Sequence, residues 1–189
     1  RKTLENRWKI IEDGGSHYVL ALDESNVPAG LVSAFKADHI RRVLFIGQGM
    51  AGVAAQVCAN IMRRYLNNPA IQVDALKSSE LSGFITETEN LRQTLLVPIS
   101  QSGTTTDTNR TVDMMKQFGA WAVAIVNRRD SDLSFKVDGV IYTSSGRDIE
   151  MSVASTKAFY SQIIAGALLS LYITQLTGRQ SDAFISNEV

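Results

Sequence analysis

The chain has 189 residues, of which 44% are hydrophobic and 7% aromatic, a composition typical of one globular domain with a sizeable core. Nineteen basic and nineteen acidic residues give a formal net charge of zero, which argues against nucleic acid or an anionic membrane as the main partner. The single cysteine, Cys58, excludes a disulfide framework and a Cys-rich metal site. With no signal peptide or membrane span evident, we expect a cytoplasmic protein. We also expect that it uses neither a metal nor a cofactor.

Hydrophobic periodicity predicts an alternation of strands and helices along the chain. In chain order, the predicted elements are a helix at 3–12, a helix at 27–35, a strand at 43–46, a helix at 51–65, a strand at 71–75, a strand at 95–99, a helix at 106–118, a strand at 121–126, a short strand at 139–143 and a long helix at 153–176. The first helix depends on the spacing of Leu4, Trp8 and Ile11, with Gly14 and Gly15 ending it. Continuously apolar strands between helices predict an α/β fold, with a parallel sheet covered on both faces.

Residues 100–105 are the most informative segment, because they place a polar loop directly behind an apolar strand. The loop reads Ser-Gln-Ser-Gly-Thr-Thr, which supplies four hydroxyl groups, one amide and one glycine at the start of a predicted helix. Backbone and side-chain donors at the positive end of a helix dipole favour a phosphate monoester. The alternative is an ordinary strand-to-helix turn, although a helix cap needs only one hydroxyl.

Two further segments are predicted to meet this loop at the carboxyl edge of the sheet. Gly47, Gln48 and Gly49 follow the first strand of the sheet, where glycine lets the backbone approach a ligand. Residues 153–157, Val-Ala-Ser-Thr-Lys, begin the long helix and add hydroxyl and ammonium donors. Ligands of parallel sheets bind at such an edge, near the switch in strand order.

The motifs Ser-Gln-Ser-Gly-x-Thr at 100–105 and Val-Ala-Ser-Thr-Lys-Ala-Phe at 153–159, with Ile-Val-Asn at 125–127 between them, resemble the sugar isomerase (SIS) domain. Within that family the chain is most similar to the isomerase half of the glutamine–fructose-6-phosphate aminotransferases, also called the glucosamine-6-phosphate synthase family. The resemblance implies a flavodoxin-like three-layer α/β/α sandwich with a five-stranded parallel sheet. It also suggests an N-terminal helical extension at 1–40, an SIS sugar-phosphate-binding domain at 41–180 and a tail at 181–189.

The same resemblance implies roles for individual residues. Four residues of the polar loop would hold the phosphate: Ser100, Gln101, Ser102 and Thr105. Three residues would border the sugar: Val153, Ala154 and Ser155. Lys157 matches a lysine of the family. The chain departs from the family where Gly47-Gln48-Gly49 replaces a Gly-Thr-Ser type sequence, where Thr104 replaces an acidic residue, and where residues 148–152 form a longer lead-in.

By the resemblance, the reaction is ketose–aldose isomerisation of a hexose 6-phosphate, of the fructose 6-phosphate or glucosamine 6-phosphate type. The residues show no obvious base for the proton transfer between C1 and C2. We therefore expect a homodimer or a second SIS domain to complete catalysis. Glu80 follows the second strand and could act as a base or as a helix cap, and Arg128-Arg129 is either solvated or at the edge of the cleft.

Two other functions stay open from the sequence. A phosphosugar sensor would use the same domain without catalysis, although the first forty residues show no basic DNA-binding module. A dinucleotide-binding domain would explain Gly-x-Gly-x-x-Gly at 47–52, with Asp74 about twenty residues further on. That reading leaves residues 100–105 unexplained and places Asp74 inside a strand rather than at its end.

Overall fold

The structure, a computed structural model, describes residues 7–12, 16–81, 91–144 and 156–188. The strands are β1 Trp8–Glu12, β2 Ser16–Leu20, β3 Arg42–Gly47, β4 Gln72–Lys77, β5 Thr94–Ser100, β6 Trp121–Val126 and β7 Gly139–Tyr142. The helices are α1 Ala29–Lys36, α2 Met50–Leu66, α3 Ser78–Leu81, α4 Thr106–Gln117, α5 Asp132–Lys136, α6 Thr156–Leu176 and α7 Asp182–Glu188.

Five strands form one parallel sheet in the order β4-β3-β5-β6-β7. The central strand β5 is buried at every position, as a sheet covered on both faces requires. Alternate residues of β3 enter different cores: Val43 and Phe45 pack on the side of α1, α2 and α6, whereas Leu44 and Ile46 pack on the side of α3, α4 and α5. This arrangement confirms the predicted three-layer sandwich and its flavodoxin-like strand order.

Close packing of α6 on α2 explains why α6 is so apolar. The segment Thr156–Thr177 has a mean hydropathy of 1.3 and is long enough to cross a membrane, but half of it is buried inside the protein. Gly166 lies directly against Cys58 of α2, and a Cβ at position 166 would stand 2.9 Å from the Cys58 Cβ. Core packing therefore accounts for the apolar composition of α6.

The predicted helix at 3–12 is wrong over the part that the structure describes. Residues Trp8–Glu12 form β1, which pairs antiparallel with β2, and residues 3–6 and 13–15 lie outside the described chain. Trp8 contacts Tyr18 of β2 edge to face, with ring centroids 5.2 Å apart. The helical spacing of Leu4, Trp8 and Ile11 is a local pattern, and pairing with a partner strand decides the conformation instead.

The carboxyl-terminal tail contains a helix that the sequence analysis did not predict. In α7, Ile185 is 1% exposed and joins a small core with Leu20 of β2 and Leu168 of α6. Strand β2, which pairs with β1, and helix α7 thus both pack against α6 of the sandwich. The domain limits at residues 40 and 180 stay predictions.

The outer edge of β7 is covered by residues that precede α1 and β1. Val140 N–H donates to the Ser25 carbonyl at 2.8 Å, and the Asn26 side-chain amide donates to the Val140 carbonyl at 2.8 Å. The Arg7 guanidinium donates to the Tyr142 carbonyl at 2.6 Å. These bonds occupy backbone groups that an edge strand otherwise leaves open.

Candidate functional site

The candidate site lies where the strand order reverses between β3 and β5. The chain leaves β3 towards β4 on one side, whereas β5 lies on the other side, so the loops after β3 and β5 diverge around a crevice. Residues 47–49 and 100–105 form these two loops. The fold therefore brings together the loop residues that the sequence analysis singled out: Gly47, Gln48, Gly49, Ser100, Gln101, Ser102 and Thr105.

The loop after β3 is tight because Gly47 touches the backbone of α2. A Cβ at position 47 would lie 2.5 Å from the Ala51 carbonyl oxygen, so a side chain has no room there. Gly49 has φ +60° and caps α2, with its carbonyl accepting from Gly52 N–H at 3.0 Å. Exposed Gln48 accepts a hydrogen bond from Ser79 Oγ at 3.4 Å, which links this loop to the residues after β4.

Two hydroxyls of the polar loop shape the loop itself. Ser100 is 3% exposed, and its Oγ accepts from Gly103 N–H at 3.0 Å. Ser102 Oγ accepts from Thr104 N–H at 3.2 Å and from Thr104 Oγ1 at 2.9 Å. Ser100 is thus placed to hold the turn, whereas half-buried Ser102 reaches the surface of the crevice.

Thr105 stands at the start of α4, and its side chain does not cap the helix. It is the N-cap residue in an extended conformation, without a side-chain capping hydrogen bond. The first N–H groups of a helix have no partner within the helix, and together they form the positive end of its dipole. As far as the described residues show, the hydroxyl of Thr105 and the first turn of α4 therefore remain available to an anionic ligand.

Asn109 is a site residue that the sequence analysis missed. It is 7% exposed, and its side-chain amide donates to the Gly103 carbonyl at 3.2 Å and to the Thr105 carbonyl at 3.1 Å. Gly103 has φ +68°, and its carbonyl also accepts from Leu133 N–H at 3.0 Å. Only its position one turn beyond the loop could have indicated Asn109, because the pairing depends on the loop conformation.

The segment after β6 contacts the polar loop 100–105 from the side of β6. Arg128 N–H donates to the Gln101 carbonyl at 3.2 Å, so this segment contacts the polar loop directly. Ser131 is 3% exposed and packs against Gly103. The Arg128-Arg129 pair consequently lies at the carboxyl edge of the sheet beside the candidate site, with both side chains exposed.

The third predicted segment lies mostly outside the described residues. Val153, Ala154 and Ser155 are not described, and α6 begins at Thr156. Lys157 is exposed in the first turn of α6. The roles suggested for these four residues stay predictions.

Asp74 does not lie where a dinucleotide-binding domain needs its ribose-binding carboxylate. It is the third residue of β4, opposite Leu44 of β3, and it accepts a hydrogen bond from the Gln72 side chain at 2.6 Å. In a Rossmann domain the acidic residue bonds the ribose at the carboxyl edge of the sheet. Glu80, which does lie after β4, pairs with Lys77 at 3.1 Å.

Comparison with known proteins finds one matching domain family and several longer relatives. The SIS domain model matches residues 38–172. Glutamine–fructose-6-phosphate aminotransferase (isomerizing) of Corynebacterium glutamicum is 33% identical over 180 residues, which cover 95% of this chain and 26% of that protein. The enzyme of the same name from Tropheryma whipplei is 35% identical over 161 residues, covering 80% of this chain and 25% of that protein. The chain thus spans about a quarter of the length of these curated relatives.

Solved structures show the same fold. The C-terminal domain of glucosamine-fructose-6-phosphate aminotransferase from Francisella tularensis has a TM-score of 0.73 at 24% identity, over 88% of this chain and 45% of that one. Glucosamine-6-phosphate deaminase from Thermotoga maritima has a TM-score of 0.62 at 20% identity, over 84% of this chain and 48% of that one. At these identities the likeness establishes the architecture alone.

Proposed function

Because the chain belongs to the SIS domain family, we propose that it binds a hexose 6-phosphate and takes part in its ketose–aldose isomerisation in the cytoplasm. The observation that carries the proposal is the polar loop 100–105, which lies at the reversal of strand order and leads into the start of α4. A substrate of the fructose 6-phosphate or glucosamine 6-phosphate type fits this site, since its phosphate is a dianion that accepts several hydrogen bonds.

The phosphate would be held by the exposed side of the loop. Ser102, Thr105 and the Gln101 side chain supply donors beside the first N–H groups of α4, while Ser100 keeps the turn closed through Gly103. No lysine or arginine lies within the loop, so hydrogen bonds and the helix dipole carry the binding. These interactions stabilise the bound substrate and the transition state equally, so their main effect is to orient the sugar.

We propose that a second SIS domain or a second copy of the chain completes the catalytic site. Isomerisation needs a group that moves a proton between C1 and C2. The curated relatives are about four times as long as the matched segment, which leaves room for a second domain. The contact surface we propose combines exposed apolar side chains on the packed helices α2 and α6: Met50, Val53, Tyr160 and Ile164.

Calorimetric titration with fructose 6-phosphate, glucose 6-phosphate and glucosamine 6-phosphate tests the phosphate site. Ser102→Ala or Thr105→Ala should weaken binding by about 1–3 kcal/mol, because each removes a hydrogen bond to a charged group. Ser33→Ala is the matched control, since that exposed hydroxyl bonds within α1. Unchanged affinity in both loop variants would contradict the site.

Turnover of fructose 6-phosphate separates a catalyst from a sensor. The assay follows aldose formation at chain concentrations above and below self-association. Conversion that appears with association supports a shared catalytic site. Binding without conversion under both conditions excludes completion of the site by a second copy of the chain, and leaves a second SIS domain or a phosphosugar sensor as the explanation.

A further inference from the structure

Two arginines from distant parts of the sequence meet at the end of β7. The Arg7 guanidinium donates to the Tyr142 carbonyl at 2.6 Å. The Arg129 guanidinium stacks on the ring of the same tyrosine, with its central carbon 4.4 Å from the ring centroid. Tyr142 thereby holds one cation through its backbone and another through its side chain.

The head of Arg7 is left without its full set of hydrogen bonds. Its Nη1 atom is buried and has no hydrogen-bond partner in the described part of the chain. Burial lowers the pKa of Arg7 most, the charge of Asp23 raises it, and the charge of Arg129 lowers it again. A buried donor without an acceptor beside a second cation is destabilising, and an anion would relieve both effects.

The charge of Asp23 acts on Arg7, but Asp23 does not accept a hydrogen bond from the buried Nη1 atom. One oxygen of Asp23 accepts from Ser25 N–H at 2.9 Å, from Ser25 Oγ at 2.5 Å and from Asn26 N–H at 3.1 Å. These bonds build the turn that covers the edge of β7. Among the described residues, Arg7 Nη1 therefore still lacks a hydrogen-bond acceptor beside the charge of Arg129.

The two arginines lie on the same edge of the sheet as the polar loop. Tyr142 ends β7, and β7 is two strands away from β5, which leads into residues 100–105. Neighbouring strands are about 4.8 Å apart, so the ends of β5 and β7 are separated by about 10 Å, and Arg7, which bonds the outer edge of β7, lies further out. An extended six-carbon sugar phosphate spans a comparable length. The arginine pair is therefore suitably placed for the end of such a ligand that is remote from the phosphate.

We propose that Arg7 and Arg129 form a second anion subsite, which binds a carboxylate or phosphate at the far end of the phosphosugar. Guanidinium groups suit this role because they offer paired N–H donors in the geometry of such oxyanions. The subsite rests on the proposed function, since the polar loop must hold the 6-phosphate. It predicts that a second anionic group at the far end of a phosphosugar tightens binding beyond what the 6-phosphate alone provides.

Two ligand pairs that differ only at the far end test the subsite by calorimetry. Glucitol 6-phosphate is compared with 6-phosphogluconate, and fructose 6-phosphate with fructose 1,6-bisphosphate. The wild type should bind at least one doubly anionic ligand about tenfold more tightly than its partner ligand. Arg129→Gln should abolish that preference and leave the affinity for the singly phosphorylated ligand within about twofold.

Arg129→Gln tests the subsite more directly than Arg7→Gln, because Arg7 also covers the edge of β7 and its loss affects folding. Arg64→Gln is the matched control, since that exposed arginine lies on α2 beside Glu188 and should leave the preference intact. Equal affinities within both pairs, or a preference that survives in Arg129→Gln, overturns the subsite alone. Failure of every phosphosugar to bind the wild type overturns the proposed function together with the subsite.

Discussion

The side-chain amide of Asn109 donates a hydrogen bond to the carbonyl oxygen of Gly103, 3.2 Å away, from one turn inside α4. The same amide reaches the Thr105 carbonyl at 3.1 Å. Two carbonyl groups of the polar loop are thereby drawn towards the body of α4. Because carbonyl oxygens repel a phosphate, this arrangement keeps acceptors away from the proposed anion site.

Asn109→Leu should weaken hexose 6-phosphate binding by about 1–2 kcal/mol, since it removes both bonds at similar side-chain volume. Asn109→Asp should weaken binding further at neutral pH, because a carboxylate would face the two carbonyls. Lowering the pH should recover part of the loss in the Asp variant alone, which a general loss of stability would not produce. Titration calorimetry at two pH values measures both effects, and wild-type affinity in both variants would show that Asn109 does not shape the loop.

Gly103→Ala should lower the free energy of unfolding by about 2–4 kcal/mol, because φ is +68° and a new Cβ would lie 2.5 Å from the Ser131 Cβ. Ser131→Gly removes the steric part but not the backbone strain. The double variant should therefore regain part of the loss relative to the sum of the single variants. Urea unfolding of all four proteins measures this coupling, and simple additivity would mean that the two residues do not interact.

Gly47→Ala and Gly52→Ala should differ sharply although they lie five residues apart. At position 47 a Cβ would stand 2.5 Å from the Ala51 carbonyl, whereas at position 52 the nearest atom is 3.2 Å away. We expect a loss of about 2 kcal/mol or more for Gly47→Ala, and a change within about 1 kcal/mol for Gly52→Ala, where helix propensity compensates. Thermal unfolding ranks the two variants, and the reverse order would contradict the described turn.

Burial raises the pKa of the Cys58 thiol to about 12 from its usual value of 9.0. Between these values the unfolded chain loses the thiol proton and the folded chain keeps it. Stability from this group is therefore complete below about pH 9 and falls by up to about 1.4 kcal/mol per unit as pH rises towards 12.

Cys58→Ala should make the free energy of unfolding less dependent on pH in this alkaline range, even though the smaller side chain lowers stability at every pH. Denaturant unfolding at several alkaline pH values compares the slopes. Burial also raises the pKa of Tyr65 to about 12, which adds a similar slope in both proteins. The difference between the two slopes therefore isolates the contribution of Cys58. Parallel curves would mean that the thiol is not protected.

Local patterns predicted the sheet well because its three central strands, β3, β5 and β6, are apolar runs between helices. The strand expected at 43–46 extends over Arg42–Gly47, and the helix expected at 106–118 covers Thr106–Gln117. Gly119, with φ +93°, follows that helix and closes it. The conformation at Trp8–Glu12 could not be read locally, since an antiparallel partner decides it.

The candidate site was predicted in outline, and the sequence could not separate ligand groups from supporting groups. Ser100 Oγ accepts a hydrogen bond from Gly103 N–H in the fold, a contact that the sequence does not show, and its role as a phosphate donor stays a prediction. Asn109 acts through carbonyl groups that face it only once the loop is folded. Arg7 and Tyr142 are 135 positions apart, and no local pattern connects them.

The covered edge of β7 also limits how molecules of this protein can aggregate. With Val140 bonded to Ser25 and Asn26, and the Tyr142 carbonyl taken by Arg7, a foreign strand finds no free backbone ladder on that side. Strand addition is blocked at that edge, so a molecule that packs against it must contact side chains, whose shape and charge can discriminate between partners.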